Sequence, residues 1–117
     1  MNEFLKQSIK SEILKSFSNA KHAHNEIFKD EPDNAVVIGH LSIATSYIGS
    51  AKSIYVCNYD EFGRNEFDEY FSQFDIFVKE VMTNTRTDHS HQWSDIEFTR
   101  LNEKYYEVAG LLDIKLS

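Results

Sequence analysis

The sequence predicts an all-α fold, an up-down antiparallel four-helix bundle forming one domain over residues 1–117. Three observations predict it. Apolar residues recur at steps of three and four through four long segments, the spacing that places side chains on one face of a helix. Glycine and proline number only 4 and 1, whereas strand-rich folds use both at their tight turns. The residues AVILMFWYC make up 41% of the chain and aromatics 14%. That composition supplies a core, and a globule of this length buries roughly two-thirds of its unfolded surface.

The first predicted helix covers about 2–29, with Leu5, Ile9, Ile13, Phe17, Ala20, His24 and Ile27 on one face. It stops at the segment 30–33, because Pro32 disfavours helical geometry in the residue before it, and Asp33 is placed to cap the next helix. The second helix covers about 34–56, with the stripe Val37, Leu41, Ala44, Ile48, Ala51 and Tyr55. A polar break containing Gly63 precedes the third, about 65–83, whose stripe is Phe67, Phe71, Phe74, Val78 and Val81. Residues 83–92 are polar and read as a loop. The fourth helix, about 94–113, starts where Ser94 and Glu97 have capping-box spacing, with Trp93 and Phe98 placed as a hydrophobic staple. Its stripe is Phe98, Leu101, Tyr105, Val108 and Leu112. Three of the four stripes keep a seven-residue repeat, which suits helices crossing at about 20°, and short connections make sequential helices antiparallel.

The second helix departs from the usual surface pattern, in which charges cover the outer face. Over 34–58 its single formal charge is Lys52. The side opposite the core stripe holds Gly39, Ser42, Ser46, Gly49, Ser50 and Ser53, and the flank holds Val36, Ile43, Tyr47 and Ile54. A membrane span needs about 20 apolar residues, and the uncharged run 35–51 is too short and contains His40. Two explanations remain: deep burial within the bundle, or a second chain packed on this face. The second is the expectation, with Gly39, Ser42, Ile43, Ser46, Gly49 and Ser53 as the interface of a homodimer. The aromatic band of the third helix (Phe67, Tyr70, Phe71, Phe74 and Phe77) is a rival interface that reads more simply as core.

Charge narrows the partners. Net charge is −7, with residues 1–29 at +2 and the remainder at −9. A field of that sign repels phosphates, so nucleic acid is not an expected partner. A basic protein surface remains compatible with it, although acidity alone also serves solubility. Cys57 is the one cysteine, so no internal disulfide forms and nothing indicates an oxidising compartment. It reads as a buried thiol. The first six residues carry charges where a secretory h-region is apolar. The expected setting is cytoplasmic, with no membrane partner.

All five histidines fall in segments that an up-down bundle brings to one end: His22, His24, His40, His89 and His91. Imidazoles suit Zn and other divalent transition metals, which makes His24, His40, His89 and His91 the candidate metal ligands. The spacing is unlike a helical metal motif. His22 and His24 are two apart, about 200° around the helix, and His22 with Glu26, four apart, is placed on the solvent side. No H-E-x-x-H or E-x-x-H occurs, so no cofactor is expected. Arg86 and His91 are separated by four residues. This spacing resembles the R-x4-6-H motif of the HEPN helical bundles, ribonucleases in which that Arg and His act on an RNA backbone, usually across a dimer. Thr87 follows the arginine here, where that family usually has Asn, Asp or His.

The functional expectation is a small acidic bundle without catalytic activity that acts by protein–protein binding, as an adaptor, regulator or inhibitor. The alternative is a metal- or His-dependent enzyme at the histidine-rich end, with a HEPN-like ribonuclease third.

Overall fold

The computed structural model describes residues 2–115, so Met1, Leu116 and Ser117 of the expected single domain lie outside the described residues. The described chain is helical, without strands: α1 (Glu3–Ile27), α2 (Asn34–Cys57), α3 (Tyr59–Phe62), α4 (Asn65–Thr87) and α5 (Gln92–Leu111). Four of the five are long, and the molecule measures 45 × 23 × 21 Å.

Local chemistry sets most of the boundaries. The Asn2 carboxamide accepts from the N–H groups of Phe4 at 2.8 Å and Leu5 at 3.3 Å, and Asp33 Oδ1 does the same for Ala35 and Val36. Each cap satisfies donors that have no partner within the helix. Glu26 closes the turn between α1 and α2. Its carboxylate accepts from the Asp33 N–H at 3.0 Å and pairs with Lys29 at 2.8 Å. The Lys29 ammonium first, and the Asp33 N–H second, hold its carboxyl below the usual glutamate range. Only 6% of Glu26 is exposed, so the placement of Glu26 on the solvent side was wrong.

The polar break before α4 holds an unpredicted turn of helix, α3, which buries Phe62 completely. Gly63 ends it: a Cβ there would stand 2.7 Å from the Tyr59 carbonyl oxygen. α4 runs four residues beyond its predicted end at 83. Thr87 hydrogen-bonds back to the Thr83 carbonyl, and Asp88 ends the helix in the left-handed conformation at φ 55°, which Asp tolerates better than most residues.

The start of α5 corrects the capping-box expectation. The helix begins two residues early, at Gln92, and its N-cap is His91. Ser94 is not a cap but is fully buried inside the first turn. Glu97 bonds Arg100 instead of the helix start. Trp93 is 60% exposed, and Phe98 packs on Phe17, His24 and Phe77 in place of the expected staple.

The predicted stripes meet in one core. All six buried residues of α2 are the predicted ones. The aromatic band of α4 (Phe67, Tyr70, Phe71, Phe74 and Phe77) is buried throughout, as ordinary core. Long-range contacts run in opposed directions between neighbours. Asn19 of α1 meets His40 of α2, Tyr55 late in α2 meets Asp68 early in α4, and Glu69 of α4 meets Lys104 of α5. Lys6 early in α1 pairs with Asp113 after α5. Burial first and the Asp68 hydrogen bond second push the Tyr55 phenol well above its usual range.

Candidate functional site

Two regions carry the residues singled out by the sequence. The first is the outer face of α2. Its core stripe turns Val37, Leu41, Ala44, Ile48, Ala51 and Tyr55 inward, so residues half a turn away point outward. Gly39, Ser42, Ile43, Ser46, Gly49 and Ser53 are all exposed. Deep burial of this helix within the chain is therefore not what explains its missing charge. Ile43 is 47% exposed, and Val36 and Ile38 stand exposed beside it. Nothing lies within 4 Å of a Cβ added at Gly39 or Gly49. Along the edge of this face runs a groove of about 310 Å³ between α2 and α4, lined by Leu41, Ser42, Thr45, Val78 and Met82. No charged residue lines it. Ile38, absent from the sequence-based interface, belongs to the same surface; its place one turn before Ser42 was the available signal.

The second region is the set of histidines, which the fold distributes over three places. His24 lies in the seam between α1 and α5. Its ring stacks on Phe98 at 4.0 Å, and Nε2 is 2.9 Å from Asp95 Oδ1. His40 lies between α1 and α2, with Nδ1 3.2 Å from Asn19 Oδ1 and its ring 5.2 Å from that of His22. His22 and His24 thus reach different neighbours, as their angular separation requires. His89 is exposed, and its backbone N–H donates to the Asn84 carbonyl. Among the described residues, no group of three or more His, Cys, Asp or Glu side chains converges to hold a metal ion.

His91 belongs to a buried network that sequence reasoning missed. Asn84 Nδ2 donates to Ser94 Oγ at 3.1 Å and to Glu80 Oε1 at 3.0 Å. Ser94 Oγ lies 3.0 Å from His91 Nδ1. The serine hydroxyl can both accept from the amide and donate, so a neutral imidazole with unprotonated Nδ1 fits this network. Burial pushes the His91 pKa down, which favours that neutral form. Arg86 is exposed in the last turn of α4 and His91 is tied to Ser94, so the two residues that resemble the HEPN motif flank the junction between α4 and α5.

No protein-family model matches the chain, and no curated protein or solved structure compared with it matches either.

The remaining sequence-based expectation concerns Cys57. It ends α2 and is exposed rather than buried. The helix stripe already had its last inward position at Tyr55, which leaves Cys57 some 200° away from it. No helix among the described residues is long and apolar enough to cross a membrane.

Proposed function

We propose that this chain is an up-down antiparallel four-helix bundle that acts by binding rather than catalysis, pairing with a second copy of itself through the outer face of α2. The observation that carries this reading is an exposed face with hardly a charge on it. Gly39, Ser42, Ser46, Gly49 and Ser53 lie open beside exposed Val36, Ile38 and Ile43. Uncharged surface is cheap to desolvate, and small side chains let two helices approach closely. The opposed contacts between neighbouring helices support the bundle, as does a cross-section of 23 × 21 Å, about two helix diameters each way. The lone Cys57, which has no partner for an internal disulfide, supports a cytoplasmic setting. The acidic remainder of the surface suits a basic protein partner, for which the dimer would serve as adaptor, regulator or inhibitor.

Ser46→Glu tests the pairing. A two-fold interface sets the substituted residue near its own copy, so two carboxylates face each other in a desolvated seam. Glutamate is a good helix former, and α2 itself stays intact. Light scattering of the wild type gives a dimer mass, and Ser46→Glu shifts it to the monomer at the same concentration. A wild-type monomer at high concentration ends the proposal, and a dimer indifferent to Ser46→Glu moves the interface off α2.

A further inference from the structure

On the side away from α2, the seam between α1 and α5 opens into a cavity of about 230 Å³. Its origin lies in the packing. The ring of Phe17 lies flat on that of Tyr105, with centroids 3.8 Å apart and planes 4° from parallel. Two stacked rings hold the helix axes apart, where aliphatic side chains would let them close. Leu14 and Tyr106, 37% and 49% exposed, line the cavity with this pair. Both are large apolar groups left in contact with water at a concave site, where the burial of a ligand ring would relieve them.

Charge gives the cavity its selectivity. Lys21 and Lys115 line it, and among the described residues neither enters an ion pair, whereas Lys6, Lys29, Lys79 and Lys104 each hold a carboxylate. Lys10, Lys15 and Lys52 are likewise outside the ion pairs, but only at this cavity, among the described residues, do two such ammonium groups share one lining, in a chain of net charge −7. Ser18 and Asn102 add hydroxyl and amide groups to the rim. We infer that this cavity binds a small aromatic monocarboxylate. The ring would pack between Leu14 and Tyr106 over the Phe17–Tyr105 pair, with the carboxylate between Lys21 and Lys115. Its volume lies below the roughly 300–1,000 Å³ of sites for drug-sized ligands, which limits the occupant to one ring system and a short acidic arm. None of the lining residues belongs to α2, so the inference stands apart from the dimer.

The experiment is an amide chemical-shift titration of the full chain with indole-3-acetate, repeated with neutral indole-3-acetamide. The expected result is a saturable shift at Leu14, Ser18, Lys21, Asn102 and Tyr106, with the amide about fivefold weaker. That ratio fits the loss of two half-exposed charge contacts. The double variant Lys21→Gln/Lys115→Gln, altered only at exposed positions, lowers affinity for the acid by about the same factor and leaves the amide unchanged. Equal affinity for acid and amide overturns the inference. So does a saturable shift mapping to another surface, and so does no saturation up to the solubility limit of the probe.

Discussion

α1 buries Ala20 and Ala23, and α2 buries Ala44 and Ala51; α4 buries no alanine but five aromatic rings, from Phe67 to Phe77. The consequence is visible in the seams. α1 and α2 run closest together along their length and α4 and α5 next, while α4 stands off from α2 and α1 from α5. Helix separation follows the size of the side chains at the contact, so the α1–α2 pair, with its alanines, closes, and the ring-filled seams of α4 with α2 and of α1 with α5 stay wide. Both grooves described above, between α2 and α4 and between α1 and α5, lie along wide seams. One half of the core is thus specified by close approach and the other by volume.

Removing volume from the aromatic half should have the largest effect. Phe77 is fully buried and packs on Phe98, and Phe77→Ala should cost about 3–5 kcal/mol, read as a fall in the urea midpoint. Phe77→Leu should recover most of that loss if volume is what this region needs. Adding volume to the alanine half should do the next most damage. Ala44 is completely buried, and Ala44→Leu should cost about 1–3 kcal/mol through overpacking. A neutral Ala44→Leu would erase the contrast, because it would mean that α1 and α2 have room to spare.

A smaller effect sharpens the account of where the two halves differ in polarity. Ser94→Ala should cost about 1–2 kcal/mol, since it removes the buried hydroxyl that accepts from Asn84 and meets the half-buried His91. The same site sets an acid limb. The His91 pKa is lowered in the folded chain, so the unfolded chain takes up the proton first, near pH 6.5. The contribution is therefore fully present above that pH and is lost as the pH falls toward the folded value. Urea midpoints at pH 7 and pH 5 should differ less in His91→Gln than in wild type. An unchanged difference would show that His91 is not the group involved.

How far the sequence could carry these conclusions depended on the range of the interaction. The stripe of α2 was legible residue by residue because burial on a helix face repeats every three or four positions, and Asp33 was legible as a cap because its partners lie two and three residues on. Ser94 misled for the opposite reason. Its spacing to Glu97 fits a local cap, but a partner ten residues back, Asn84, captured its hydroxyl. The end of α4 was misread because Thr83, Thr85 and Thr87 are weak helix formers, and the helix persists there through the burial of Asn84. For the histidines, the angle separating His22 from His24 could be read. The partners of His24 and His40, Asp95 and Asn19, could not, since no local rule places residues 71 and 21 positions apart. The uncharged face of α2 was legible as a face; that it lies open on the single chain required the fold.

The hydroxyl pair between α1 and α4 acts as a registration mark. Tyr70 is fully buried and its hydroxyl lies 3.0 Å from Ser16 Oγ. Ser16 gives its own proton to the Ile13 carbonyl at 2.7 Å, so the phenol is the donor between the two side chains, and burial raises its pKa. Five rings along α4 fill its core face, and ring packing alone carries no polar mark of longitudinal position. A slide of one helical turn, about 5.4 Å, would preserve most of that contact but strand the phenol in an apolar interior at a cost of about 1–3 kcal/mol. With the Tyr55–Asp68 bond between α2 and α4, the Ser16–Tyr70 pair thus penalises a slide of α4 along its neighbours.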